Sequence, residues 1–385
     1  MQLLMLAFVL LPWIEGHRKL TQSSSYDPTK FSVQCKSEGT EGTCHFENVC
    51  LRMEDPPTIL VPHAVELPAL GFRAYPTGKD HAPSHAVRVQ VDPQPHLDWE
   101  QLQGVVTLVS RYYPPNYGHV LGDEVWAMWQ LLATWNMEVR LQDVYVYTEG
   151  AWTPSLQQYE ALLGKDTNRV LLGGRSVCVP TLLAGVARMG YALGMTCPAD
   201  GSRRLDCRAE YLPEFKTTMA SFRATALARH GLSADPFHYT GRILILEKDL
   251  SVAAHPAYIA NVPELVAAAG QHAFSIMWTK VSLREQMQYV STADVLVSLP
   301  GSDLMTAVWL PTLSEIIQPC RYVEGQIDYG NEQMIWFHIT HHVQIWCSSL
   351  HVTEGKLTLP VREFVTRVHA ALARVWDRKH NKKLF

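Results

Sequence analysis

The 385-residue chain contains no Asn-x-Ser/Thr sequon, no Cys-x-x-Cys, no Gly-x-Ser-x-Gly and no run of five or more like charges. Each absence removes a class. Without a sequon, no surface loop is marked as a glycan acceptor. Without Cys-x-x-Cys, the cysteines form no tight metal pattern. Without the nucleophile elbow, Ser302 in Pro300-Gly301-Ser302-Asp303 is not an acyl-transfer nucleophile of the hydrolase kind. Charge is also sparse: 18% of residues are Asp, Glu, Lys or Arg against 47% apolar, which describes a globular chain rather than a disordered tail. A formal net charge of -4 and a pI near 6.5 leave no basic stripe for a phosphate backbone, so nucleic acid is excluded as a partner. The locally basic end, Arg378-Lys379-His380-Asn381-Lys382-Lys383, complements the dipole of a terminal helix.

What is present begins with length: 385 residues exceed what one hydrophobic core usually organises, so two domains are expected. An apolar run from Met1 to Ile14 is shorter than the roughly 20 residues a membrane helix needs. A polar, Ser-rich stretch from Thr21 to Tyr26 follows it. Residues 1–20 therefore read as a signal peptide or marginal signal anchor giving weak membrane attachment, although no basic segment precedes the run; a buried core element is the alternative. The eight cysteines, at 35, 44, 50, 178, 197, 207, 320 and 347, fit disulfides of an oxidising lumen, with reduced thiols in a cytosolic protein as the other reading. Local bridges are expected within the groups 35–50 and 178–207, with connectivity open.

Buried strands at 104–110, 144–147 and 169–172 alternate with helices at 124–135, 156–163 and 214–228, the pattern of a parallel sheet. A helix stop and linker lie near 230–240. Beyond it, strands at 242–246, 274–278 and 294–298 alternate with helices at 262–269 and 283–289. The fold class is α/β, with two Rossmann-like domains at 21–235 and 236–350, and a C-terminal helix within 351–385 packing back across them.

Two segments carry the chemistry. In Asn116-Tyr117-Gly118-His119, followed by Asp123 and Glu124, the histidine and aspartate stand four apart where a helix begins and can touch. A carboxylate beside imidazole fixes its tautomer and raises its basicity, suiting His119 to take a proton; a plain helix cap is the alternative. In the second segment, the strand 293–298 runs into Pro300-Gly301-Ser302-Asp303 and an apolar helix. A helix start at a strand's carboxyl end presents unpaired N–H groups to an anion such as a diphosphate. Asp303 would satisfy that dipole by itself, so an ordinary capped turn competes with a phosphate cradle.

These segments, with Val177 to Gly185 and with Gly241 to Leu246 followed by Asn261 and Glu264, resemble the signature blocks of glycosyltransferase family 61 in order, over about residues 105 to 320. The resemblance implies a GT-B type fold, two Rossmann-like domains facing across a cleft, in the lumen of the Golgi or endoplasmic reticulum. It implies acceptor binding by the first domain and UDP-sugar binding by the second. Members include xylosyl-, arabinosyl- and N-acetylglucosaminyltransferases acting on glycan, glycoprotein or polysaccharide acceptors. His119 and Asp123 fall on the family's His and Asp, and Gly301 and Ser302 on the turn that faces the donor. Asn116, Tyr117 and Glu124 are expected on the acceptor side, and Arg242, Lys248 and Asp303 near the donor. Where the family usually has His-Gly-Ala-Gly, this chain has Pro300-Gly301-Ser302-Asp303. No cofactor is implied beyond the UDP-sugar co-substrate, and no metal: the chain lacks Asp-x-Asp, the pattern that holds a metal on the diphosphate in another glycosyltransferase architecture. A catalytically inactive lectin-like or scaffolding protein of the same fold is the second reading, and a cytosolic nucleotide-binding protein the third. The cluster His338, His341 and His342 lies in a β-like segment without a nearby carboxylate or cysteine and reads as chance rather than metal. Trp126 and Trp129 read as core, with sugar stacking as the alternative.

Overall fold

The computed structural model of the protein describes residues 25–38, 41–72, 86–111, 116–165, 167–186, 195–196, 208–209, 213–235, 238–249, 251, 257–323, 326–328, 342–347, 350–353 and 355–381. The expected signal segment, Cys197, Cys207, His338 and His341 lie outside them.

The first half is built on a nine-stranded sheet: β1 (Ser32–Glu38), β2 (Glu41–Arg52), β3 (Thr58–Val61), β4 (Arg88–Val91), β5 (Glu100–Gln101), β6 (Val105–Leu108), β7 (Val144–Thr148), β8 (Val170–Leu172) and β9 (Ser176–Ala184). Its order is β4-β3-β2-β9-β6-β7-β8, with β1 on β2 and β5 on β9. All four residues of β6 are buried, as a parallel strand covered on both faces requires. The sheet is mixed where a Rossmann-like one was expected. β2 runs antiparallel to β1, β3 and β9 and occupies the middle of the sheet. Its sequence, with two cysteines among Glu, Thr and Asn residues, hides a strand alternation in which Cys44 and Phe46 are buried while Glu47 is exposed.

Disulfides pin this sheet. Cys35–Cys44 closes the β1–β2 hairpin locally, but Cys50 bonds Cys178, its register partner across β2 and β9, 128 residues away. The first is a local bridge of the kind expected, and the second joins the two cysteine groups, whose connectivity the sequence left open. A third bridge joins Cys320 and Cys347, and no cysteine among the described residues is free.

After the short pair β10 (Met195–Thr196) and β11 (Arg208–Ala209), the second half carries β12 (Ile243–Glu247), β13 (Tyr258–Ile259), β14 (Ala273–Met277), β15 (Val295–Val297) and β16 (Glu315–Pro319). The hairpin β17 (Arg321–Val323) and β18 (Gln326–Asp328) precedes β19 (His342–Trp346), β20 (His351–Thr353) and β21 (Lys356–Thr358). Five of these form an all-parallel sheet of order β14-β12-β15-β16-β19.

The helices are α1 (Tyr117–His119), α2 (Trp126–Thr134), α3 (Glu160–Leu163), α4 (Pro213–Arg229), α5 (Val262–Ala269), α6 (Leu283–Ser291) and α7 (Val361–His380). α7 packs on the second sheet rather than across both halves, burying Phe364, Val368, Ala371 and Val375. Its basic last turn does more than complement a dipole. Lys379, fully buried, donates to Asp294 Oδ1 at 2.5 Å and to the His238 carbonyl at 2.8 Å, while Arg374 and Arg378 grip buried Glu315.

One apolar cluster crosses between the halves. Trp126 and Trp129 of α2 meet Phe222 of α4 edge-on at 5.4 and 5.9 Å, and Phe222 stacks on Trp309 at 5.5 Å. The two tryptophans are core, as their helical spacing suggested, and aromatic pairs of this kind add to the burial that holds the halves together.

Candidate active site

The chain after β6 turns into α1, capped by Asn116, whose Oδ1 accepts from the backbone N–H groups of Gly118 and His119 at 2.8 and 3.2 Å. An N-cap amide satisfies donors that the first helical turn leaves without partners. The helix then loosens into a π-helical turn over Val120–Val125, where the Trp126 N–H reaches back five residues to Leu121. Such turns are uncommon and concentrate at functional sites.

His119 Nδ1 lies 2.7 Å from Asp123 Oδ2. The imidazole is 24% exposed and the carboxylate behind it 1%. Burial raises the Asp123 pKa to about 6, with the His119 hydrogen bond pulling the other way. The second oxygen, Oδ1, is buried without a protein hydrogen-bond partner. With the carboxylate accepting Nδ1–H, the basic lone pair of the imidazole is on Nε2.

Glu124 was expected on the acceptor side, and the structure corrects this. Its side chain is fully buried, accepting from the Tyr159 hydroxyl at 3.0 Å with Arg111 Nε at 4.0 Å. Burial pushes its pKa up to about 8, against the pull of Arg111. Arg111 in turn donates to the Ala151 carbonyl and the Thr153 hydroxyl, both at 2.7 Å. Glu124 thus belongs to a polar network behind the π-turn, anchoring it to the loop after β7. Tyr117 and Asn116 are half-buried at the turn's outer side, and burial raises the Tyr117 pKa.

The second segment gathers at the carboxyl ends of parallel strands. Gly301 follows β15 with φ +140°, a conformation that favours glycine, and the next eight residues form a 3-10 helix, Ser302–Trp309, rather than the α-helix expected. Asp303 in its first turn is half-buried; burial raises its pKa, with Lys248 opposing and Asp249 adding to the rise. Lys248 and Asp249 follow β12, and Thr279 and Lys280 follow β14. Asp249 accepts from the Ser251 hydroxyl and N–H and from the Thr279 hydroxyl, with Lys280 Nζ at 3.5 Å, and these hold its carboxyl well below the usual range. Lys280, 66% exposed, was missed in the sequence; the signal was its place just past a strand's carboxyl end, like that of Lys248.

Arg242 is not brought to this place. It precedes β12, at the opposite edge of the sheet from Lys248, where its guanidinium bonds the Thr292 hydroxyl at 2.9 Å and lies over the Phe274 ring. Asn261 is likewise structural: its amide exchanges hydrogen bonds with the backbone of Leu359 at 2.9 and 3.1 Å.

The two segments touch. Ser302 Oγ donates to Asn116 Oδ1 at 2.7 Å, and a Cβ added to Gly118 would stand 2.9 Å from Ser302 Cα. His119, Asp123, Asn116, Gly301, Ser302 and Asp303 therefore belong to one neighbourhood, with Lys248 next to Asp303. Among the described residues no group of three or more His, Cys, Asp and Glu is placed to hold a metal ion.

A sequence model described as Glycosyltransferase 61 matches residues 117–317, more than half of the chain. The chain belongs to the glycosyltransferase 61 family. The matched span takes in both segments of this glycosyltransferase, from the His119 turn through Gly301 to β16. A search of curated proteins gave no match. Among solved structures the glycosyltransferase is similar to the metal-soaked Flv1 flavodiiron core from Synechocystis sp. PCC6803, with 9% identity over 91% of this chain and 99% of that one. The TM-score of 0.21 is too low for that likeness to carry any argument.

Proposed function

We propose that this family 61 glycosyltransferase moves a sugar, xylose or N-acetylglucosamine, from a UDP-sugar to a hydroxyl of a glycan, glycoprotein or polysaccharide, with inversion. The observation that supports the reading is the His119–Asp123 pair at 2.7 Å, carried on a turn that packs directly against the Gly301–Ser302 turn. Inversion needs one base and a stabilised leaving group. The acceptor oxygen forms its bond to the anomeric carbon as the bond to the UDP oxygen breaks on the opposite face, and the hydroxyl proton passes to His119 Nε2. Asp123 stabilises the imidazolium that results. Main-chain N–H groups at Gly301 and the ammonium groups of Lys248 and Lys280 take up the charge that develops on the diphosphate. We assign this neutralisation to dipoles and lysines, without a resident metal.

On this reading the halves form a GT-B type pair, residues 21–235 serving the acceptor and 236–350 the donor. The three disulfides among the described residues favour an oxidising lumen of the secretory pathway as its location. Among the described residues no helix is long and apolar enough to cross a membrane. One observation favours the second reading, a catalytically inactive sugar-binding protein of the same fold: Asp249 and Asp303 stand beside the two lysines and offset their charge.

Thermal shift against UDP, GDP and CMP, followed by UDP-sugar hydrolysis, separates the two. A ligand that binds only the folded state raises its melting temperature. We expect a UDP-selective shift, and turnover that His119→Ala abolishes. Selective binding of a sugar with no UDP response and no turnover would overturn the transferase reading.

A further inference from the structure

We propose that Ser302 is a positioning residue for His119, acting through Asn116, and that its hydroxyl is not a diphosphate ligand. The inference rests on the transferase reading above and concerns how its two segments are set against each other. A serine hydroxyl has one proton to donate. In this structure that proton points across the junction to Asn116 Oδ1 at 2.7 Å. Toward a phosphate oxygen the Ser302 side chain then presents only lone pairs, which repel it.

Asn116 Oδ1 receives three donors: the Ser302 hydroxyl and the N–H groups of Gly118 and His119. One oxygen thus joins the donor turn to the first turn of the helix that carries the base. The backbone has closed onto this contact. Gly118 is buried against Ser302, and the Cβ of any other residue would meet Ser302 Cα at 2.9 Å and Met305 Cγ at 3.0 Å. Glycine at 118 is needed here for close approach, since its φ lies in the helical region. The imidazole is held from both sides, by Asp123 at Nδ1 and by Asn116 at its backbone. Removing the Ser302 hydroxyl leaves the cap in place but unties it from Gly301. Misplacing a catalytic group by a fraction of an ångström lowers the rate without altering how tightly the leaving group is held.

The test compares the wild type with Ser302→Ala, Ser302→Thr and Gly118→Ala, measuring UDP affinity by calorimetry, kcat for the transfer, and hydrogen exchange of the Gly118 and His119 amides. For Ser302→Ala we expect UDP affinity within twofold of wild type and kcat lower by about tenfold, the scale of one lost hydrogen bond in an ordered site. The two amides should exchange faster, Ser302→Thr should restore both kcat and exchange, and Gly118→Ala should reproduce the loss by wedging the turns apart. Weakened UDP binding at unchanged kcat would make Ser302 a donor ligand and overturn the inference. So would unchanged exchange at both amides. Exchange needs no substrate, so if the wild type fails to bind UDP the transferase reading falls while the link between the turns is still decided by the amides.

Discussion

Replacing Asp123 by Asn should make the protein more stable and less active at once. Asp123 is ionised at neutral pH although buried, because its pKa of about 6 lies below 7 but above the ordinary 3.8. The native state therefore holds the proton more tightly than the unfolded chain. Stability from this group is fully present below pH about 4 and is lost as pH rises through 6. Two pKa units correspond to about 3 kcal/mol by which the ionised carboxylate weakens the fold at pH 7.5. Asparagine carries no charge to desolvate, and its Oδ1 can still accept from His119 Nδ1. Asp123→Asn is thus expected to gain up to about 3 kcal/mol at pH 7.5 and almost nothing at pH 4. Activity should move the other way. A neutral amide neither raises the basicity of the imidazole nor stabilises the imidazolium, so kcat should fall by about 100- to 10,000-fold, the span that general-base catalysis covers. In the wild type, activity should fall as Asp123 takes up its proton, with a midpoint near 6. Urea unfolding at the two pH values, together with initial rates, checks both halves. A variant that retains wild-type kcat, or loses stability equally at both pH values, would refute the account of His119 as a base braced by a desolvated carboxylate.

Asp303→Asn removes an anion next to Lys248, so UDP should bind about fivefold tighter in calorimetry; unchanged affinity would place the diphosphate elsewhere. Lys379→Ala leaves Asp294 charged and buried and should lower stability by about 3–5 kcal/mol in a denaturant titration, far more than an exposed lysine would. Cys50→Ala with Cys178→Ala opens a bridge spanning 128 residues and should cost about 2–5 kcal/mol, read as a drop in melting temperature. Glu124→Gln should remove a fall in stability that the wild type shows as pH rises through 8, because the raised pKa means the folded state favours the protonated acid; a profile identical to wild type would count against that burial.

The second half was largely legible in the sequence. Val262–Ala269 forms a helix over the residues expected, and β12, β14 and β15 lie within a residue or two of the apolar runs that announced them. Fully buried parallel strands read as unbroken apolar segments. The first half was less legible because β2 has the residues of a loop, and its pairing with β9 is set by contacts more than a hundred residues apart. In the site, the spacing of His119 and Asp123 carried their contact. Arg242 was misjudged although its place at the start of the strand expected over 242–246 already put it at the amino end, away from Lys248. Glu124 was misjudged because the π-turn carries it inward, to Tyr159 and Arg111.

Topology helps explain why these two segments meet. In the second sheet the chain passes from β12 outward to β14, then returns to lay β15 on the other side of β12. The direction of winding changes between β12 and β15, and the loops leaving their carboxyl ends carry Lys248 and Gly301. The first sheet repeats the device. From β6 the chain moves outward to β7 and β8 and comes back as β9 on the far side of β6, so its own change of direction lies beside the strand that leads to His119. Ligand crevices form at such points because neighbouring loops diverge instead of packing. Here Gly118 lies against Ser302, and the aromatic cluster of Trp126, Phe222 and Trp309 also joins the halves. The winding of each sheet, rather than either short motif, brings Asn116 to Ser302, 186 residues further along the chain.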